Sequence, residues 1–153
     1  MEIMSNYDLN EMLPHEAPML FIDDIKEVDM EHETLTSIVK IHRNKLFYDK
    51  KLNGVNSVAG IEYMAQTIGC YAYFKNNMQK PKIGLLLGTK LYNNKIEVFP
   101  NGEEYNVKVQ EVFSDNEIVV FDCLMYDKNG EEVASATINA YQGDNVEELL
   151  KSE

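Results

Sequence analysis

Glu62 is an isolated carboxyl in an apolar stretch. It lies in SVAGIEYMAQTIGCYAYFKNN (Ser57–Asn77), with no basic residue three or four positions to either side. A carboxylate buried away from any cation is costly. Such a residue faces a wet edge, accepts from a local hydroxyl, or is kept for proton transfer. In apolar surroundings its ionised form is desolvated, so the group holds a proton towards neutral pH and can act as a general acid. A base to work with it would come from His15, His32 or His42. His15 stands between Pro14 and Pro18, which keep its segment extended. His42, in IHRNK, opens a polar loop, and His32, in MEHE, reads as an exposed turn residue. Gln66 is one turn beyond Glu62 on the same helix face. It either hydrogen-bonds Glu62 and fixes its rotamer or caps a loop carbonyl. The histidines show no metal-ligand spacing with Cys70 and Cys123, and no metal or organic cofactor is expected.

These side chains need a frame. Val58, Ile61, Ala65, Ile68 and Ala72 recur at helical spacing, and Met64, Tyr71 and Phe74 make the other faces apolar. That pattern predicts one long buried helix, with Ser57 as its N-cap. Gly60 and Gly69 inside it each cost about 1 kcal/mol against alanine, which predicts close approach by a sheet. Before the helix, Met19–Asp29 and Thr34–Ile41 read as a hairpin with a turn at Met30–Glu33, and Tyr7–Met12 as a short helical turn. After it, Lys82–Tyr92, Glu103–Ser114, Asn116–Asp127 and Glu131–Gln142 read as a four-stranded meander. Asp115-Asn116 and Asn129-Gly130 mark its tight turns. Ala134, Ala136, Ile138 and Ala140 share one face of the last strand, leaving room for a helix. The expected fold class is α+β: one antiparallel sheet of about six strands curled around one helix.

The chain has 153 residues, one domain's length. Its core is expected at 13–142, with an acidic tail at 144–153. It is 44% hydrophobic, with nine tyrosines and six phenylalanines to fill a core. No signal peptide or membrane-spanning run is visible, and the two cysteines read as buried thiols, so a cytoplasmic location is expected. The net charge of −12 argues against nucleic-acid or anionic-membrane binding. The charge is uneven. Lys40–Lys95 contains ten basic residues and two acidic ones, Asp49 and Glu62. This stretch is a solvated basic surface or a collar able to hold a phosphate.

LPHEAPMLFIDDI (Leu13–Ile25) resembles the LPHRxPxLLVDRV opening of bacterial 3-hydroxyacyl-[acyl-carrier-protein] dehydratases, and GIEYMAQ (Gly60–Gln66) resembles their ExMAQ helix motif. GLLLGTKLY (Gly84–Tyr92) and VASATINAYQ (Val133–Gln142) look still more like a divergent branch of that family, the ApeP-like dehydratases of aryl polyene and related lipid-like pathways. The resemblance implies a hotdog fold and a dimer, with active sites and an apolar acyl tunnel at the interface. The partner protomer is an identical chain or a second hotdog protein. The family's helix carboxylate falls on Glu62. In the better-known dehydratases a catalytic histidine stands in HFPG, fourteen residues before that glutamate; here the position is Tyr48, in LFYDKK.

The resemblance implies dehydration of a 3-hydroxyacyl thioester. A base takes a proton beside the carbonyl, an acid protonates the leaving hydroxyl, and donors hold the enolate oxygen. Glu62 is the expected acid and His15, in the shared LPHEAPM segment, the expected base, with His42 in reserve. Tyr48 would orient substrate through its hydroxyl. The N–H groups around Ala59 and Gly60, at the positive end of the helix, would hold the oxyanion. The substrate would arrive on an acyl carrier protein or on coenzyme A. Lys50, Lys51, Lys80 and Lys82 would form the docking face for a carrier that is itself acidic. Two other readings stand beside this one: a non-catalytic acyl-binding subunit, favoured by the missing histidine, and an acyl-thioesterase, which the same fold also hosts.

Overall fold

The computed structural model describes residues 21–78 and 86–141. Nine strands and one α-helix follow in order. They are β1 (Asp24–Asp29), β2 (Thr34–Lys40), β3 (Tyr48–Asp49), β4 (Gly54–Asn56), α1 (Gly60–Lys75), β5 (Leu86–Asn94), β6 (Val98–Pro100), β7 (Glu104–Ser114), β8 (Ile118–Asp127) and β9 (Glu132–Tyr141). The main sheet has six strands in the order β1-β2-β7-β8-β9-β5, and every pairing is antiparallel. This is the curled sheet and central helix of the α+β hotdog arrangement.

The strand order corrects the simple meander. β5 does not pair with β7; it pairs with the last strand, Leu86 opposite Tyr141 and Asn94 opposite Ala134. β7 instead pairs with β2, which joins the opening hairpin to the later strands. A second, three-stranded sheet, β3-β4-β6, also escaped the sequence reading. Its strands are two or three residues long, too short for an alternating pattern to register. It closes so tightly that a Cβ at Gly54 would overlap the Phe99 carbonyl oxygen.

The hairpin turns fall where their local chemistry puts them. Gly130 holds φ +82, and its N–H donates to the Asp127 carbonyl. Ala134, Ala136, Ile138 and Ala140 are all buried, on the inner face of β9. With Val107, Val109, Phe121, Cys123 and Met125 they form the sheet's side of the core. Residues 7–12 and 144–153 lie outside the described part.

The helix is not buried all round. Tyr63, Met64, Thr67, Ile68, Cys70 and Tyr71 are enclosed. Val58, at 61% exposed, and Glu62 are open, with Ile61, Ala65 and Gly69 half-buried beside them. These five follow at helical spacing on one stripe. The helix start also differs from expectation. Ser57 is not the cap. Asn56 Oδ1 accepts the Val58 N–H, and Ser57–Ala59 form a 3-10 turn leading into α1. Ser57 faces inward instead, where its hydroxyl accepts from Asn94 Nδ2 at 2.6 Å.

Candidate active site

The 3-10 turn determines what the start of α1 can offer. The Gly60 N–H reaches back to the Ser57 and Val58 carbonyls, so it is not the free oxyanion donor expected from a plain helix start. Nor is the space above Gly60 open. The Tyr92 hydroxyl donates to the Ser57 carbonyl and sits where a Gly60 Cβ would be. Gly60 is therefore required by a side chain of β5 rather than by a strand backbone. Ala59 is buried. Burial pushes the Tyr92 phenol up to about 12, which keeps it a donor at all ordinary pH.

Two residues on, Glu62 faces solvent in the single chain. The apolar enclosure expected for it is not supplied by its own sheet, which takes the opposite face of the helix. Gln66 is buried, and its Oε1 accepts the backbone N–H of Phe21 at 2.7 Å and of Ile22 at 3.3 Å. The expectation that Gln66 caps a carbonyl thus reverses in sense, because its own carbonyl is the acceptor.

The loop before β3 holds the remaining described candidates. His42 is exposed, and its Nδ1 accepts the Asn44 N–H at 3.2 Å. That contact leaves the neutral ring its proton on Nε2, as a donor, so in this geometry His42 has no free nitrogen to act as a base. The Tyr48 hydroxyl donates to Asn53 Oδ1 at 2.8 Å, closing its own turn. His32 is exposed and pairs with Asp29 Oδ2 at 2.9 Å, as befits a turn residue. His15, Lys80 and Lys82 lie outside the described residues.

The basic collar shrinks in three dimensions. Lys45 is buried and paired to Asp23, Lys75 pairs with Glu111, and Lys95 pairs with Glu132. Burial holds the Lys45 ammonium below its ordinary value, and Asp23 only partly offsets this. Lys40, Arg43, Lys50 and Lys51 are exposed, with Asp49 among them. Sequence could not reveal the Lys45–Asp23 pair, because its members are 22 positions apart.

Two further features were invisible in the sequence. Phe47 holds φ +69, is 57% exposed, and stacks on Phe21 with ring centroids 5.6 Å apart. Tyr63, next to Glu62 but pointing into the core, has a fully buried hydroxyl without a hydrogen-bond partner. The buried carboxylate of Glu111 is engaged by the Tyr71 hydroxyl and Lys75 at the other end of the helix.

A six-stranded curled sheet around one helix, with an acidic side chain open on the helix's first turns, defines a hotdog protein. The chain belongs to the ApeP-like dehydratase family, whose profile, described as ApeP dehydratase, matches residues 7–151. It is similar to the 3-hydroxyacyl-[acyl-carrier-protein] dehydratase FabZ of Oceanobacillus iheyensis, 29% identical over 111 residues, covering 71% of this chain and 77% of the relative. Among solved structures it is similar to a chain of the dehydratase heterocomplex ApeI:P from Xenorhabdus doucetiae. The TM-score there is 0.81 at 20% identity, over 97% of this chain and 99% of that one. A hypothetical thioesterase from Streptococcus pneumoniae, solved with coenzyme A, has a TM-score of 0.56 at 14% identity, over 76% and 82% of the two chains. At these identities the structures speak to the fold alone. No helix among the described residues is long and apolar enough to cross a membrane.

Proposed function

We propose that the chain is a 3-hydroxyacyl-thioester dehydratase, a hydro-lyase that eliminates water to leave an enoyl thioester, serving lipid-like or polyene synthesis in the cytoplasm. The observation that carries the reading is Glu62, inside the GIEYMAQ motif, open on an apolar helix stripe that its own sheet leaves uncovered. An exposed carboxylate among Val58, Ile61 and Ala65 has no architectural use within one chain. A second hotdog chain, identical or related, closes that stripe and supplies the desolvation a general acid needs. Glu62 then protonates the departing hydroxyl, and His15 removes the proton beside the carbonyl. His15 is preferred over His42 because the Nδ1 contact of His42 leaves that ring a donor. The substrate, on a carrier protein or coenzyme A, meets the exposed Lys40, Arg43, Lys50 and Lys51; Lys80 and Lys82 extend that docking face.

One observation favours a second reading, a non-catalytic acyl-binding subunit of a heterodimer. Tyr48 stands where the better-known dehydratases have histidine, and its hydroxyl is committed to Asn53. The test is turnover of a short 3-hydroxyacyl-pantetheine thioester, following enoyl absorbance and thiol release together. Enoyl product that falls by roughly 10²–10⁴ in Glu62→Gln and in His15→Ala supports the dehydratase. Thiol release without enoyl product replaces it with a thioesterase. No product from the chain alone, with turnover restored by a second hotdog chain and insensitive to Glu62→Gln, selects the auxiliary subunit.

A further inference from the structure

The Asp23 N–H still bonds a strand carbonyl, that of Ile38, at 2.8 Å. The next two N–H groups towards the N-terminus, of Ile22 and Phe21, donate instead to Gln66 Oε1. A single side-chain oxygen of the helix takes over from the sheet at the point where the ladder ends. Phe21, Ile22 and Gln66 are all buried, where a lost acceptor is not replaced by water. Phe21 is held a second time, by Phe47 stacked on it at an interplanar angle of 12°. Phe47 adopts the left-handed backbone that L side chains rarely take, and at 57% exposed it gains little from burial in return. The loop bearing Phe47 and the helix bearing Gln66 thus grip the same residue from two sides.

We propose that Gln66, helped by Phe47, is a positioning residue. It fixes where the Leu13–Met19 segment, with His15, leaves the folded body relative to Glu62, one helical turn away on the same element. The role rests on the dehydratase reading above. It gives the amide a task that neither a bond to Glu62 nor a capped carbonyl describes: registering two segments that carry the acid and the base. Geometry at a proton-transfer site is steep, since a displacement of about 1 Å can cost roughly a hundredfold in rate.

The experiment compares wild type with Gln66→Met, similar in length but without an acceptor; Gln66→Glu, which keeps an acceptor oxygen; and Gln66→Asn, which withdraws the oxygen by one methylene. Phe47→Ala tests the second grip. Amide exchange at Phe21 and Ile22 is read by NMR, alongside kcat and KM for the pantetheine thioester. In Gln66→Met both amides exchange at least about tenfold faster, and kcat falls roughly a hundredfold while KM moves less than about threefold. Gln66→Glu restores protection and most of kcat, and Gln66→Asn and Phe47→Ala fall between. Unchanged exchange in Gln66→Met overturns the anchor, as does full rescue by Gln66→Asn. Faster exchange with unchanged kcat reduces Gln66 to architecture and overturns positioning. Should Gln66→Met fail to fold, Gln66→Asn and Phe47→Ala give the same two readouts. A wild type with both amides protected but no enoyl product overturns the dehydratase reading, and the positioning role with it, while leaving the anchor standing.

Discussion

The two faces of α1 differ as sharply as any two regions of this molecule. The inner face is closed: Tyr63, Met64, Thr67, Ile68, Cys70 and Tyr71 lie against the sheet. Its polar groups are tied in as well. Thr67 Oγ1 donates to the Tyr63 carbonyl at 2.7 Å and accepts from Ser37 Oγ at 2.7 Å. The outer face, Val58, Ile61, Glu62 and Ala65, is apolar except for one carboxylate and has no cover within the chain. A helix whose second apolar stripe meets water has been shaped for something outside its own fold. The contrast locates the site: stability is made on the inner face, and chemistry is assigned to the outer one.

The outer face should fail first as an interface. Val58→Asp should leave the chain folded but raise the dimer dissociation constant, since burying an unpaired charge costs about 3–5 kcal/mol; sedimentation velocity across a dilution series reads this. An unchanged dimer would place the contact elsewhere. The inner face should fail as a core. Ile68→Ala should cost about 2–5 kcal/mol in urea unfolding, whereas Val58→Ala, on the open stripe, should stay within about 0.5 kcal/mol for the isolated chain. Similar costs for both would dissolve the distinction. Gly60→Ala, at the junction of the two faces, should cost about 1–3 kcal/mol because its methyl meets the Tyr92 hydroxyl; Tyr92→Phe in the same background should recover part of that.

The inner face has one flaw, which sharpens the comparison. Tyr63 buries a hydroxyl with no partner, so Tyr63→Phe should gain about 1 kcal/mol. A loss would mean that the hydroxyl is used. The last expected effect is absent at neutral pH. Burial raises Cys70, Tyr92 and Tyr105 to about 12, from ordinary values of 9.0 for the thiol and 10.0 for the phenols. The unfolded chain therefore loses these protons first. The stability they contribute is full below pH 9 and is lost between pH 9 and about 12. Lys45 runs the other way, because burial lowers its value and the cost is relieved as pH rises towards 10.5. The urea midpoint should nevertheless fall through that window, and a flat or rising midpoint would contradict the burial of these groups.

Local signals in the sequence were legible. Asn129-Gly130 gave its turn because a left-handed glycine is a property of that residue alone, and the alanines of β9 revealed an inner face by period two. The pairing of β5 with β9 was not legible, because it joins segments separated by three other strands. Ser57 lost the capping role to Asn56 because the 3-10 turn shifts the helix start, and that turn also removed Gly60 as a donor. Lys45 looked like surface charge until Asp23 came beside it. Glu62 was read correctly as an anomaly, yet the enclosure expected around it is not something one chain can provide, so no reading of one chain's packing could supply it. Gln66 was recognised as belonging with Glu62, but its bonds run to Phe21 and Ile22, more than forty positions away.

Cys70 and Cys123 are both unpaired and enclosed. A thiol shut away and kept protonated does not attack a disulfide reagent. The folded chain is therefore silent to such a dye, and the colour that develops in a mixture with a pantetheine thioester comes from the substrate's own sulfur. The same two sulfurs become visible when the fold opens, so one cuvette can report both hydrolysis and loss of structure: a catalytic burst scales with substrate, and unfolding stops at two equivalents per chain.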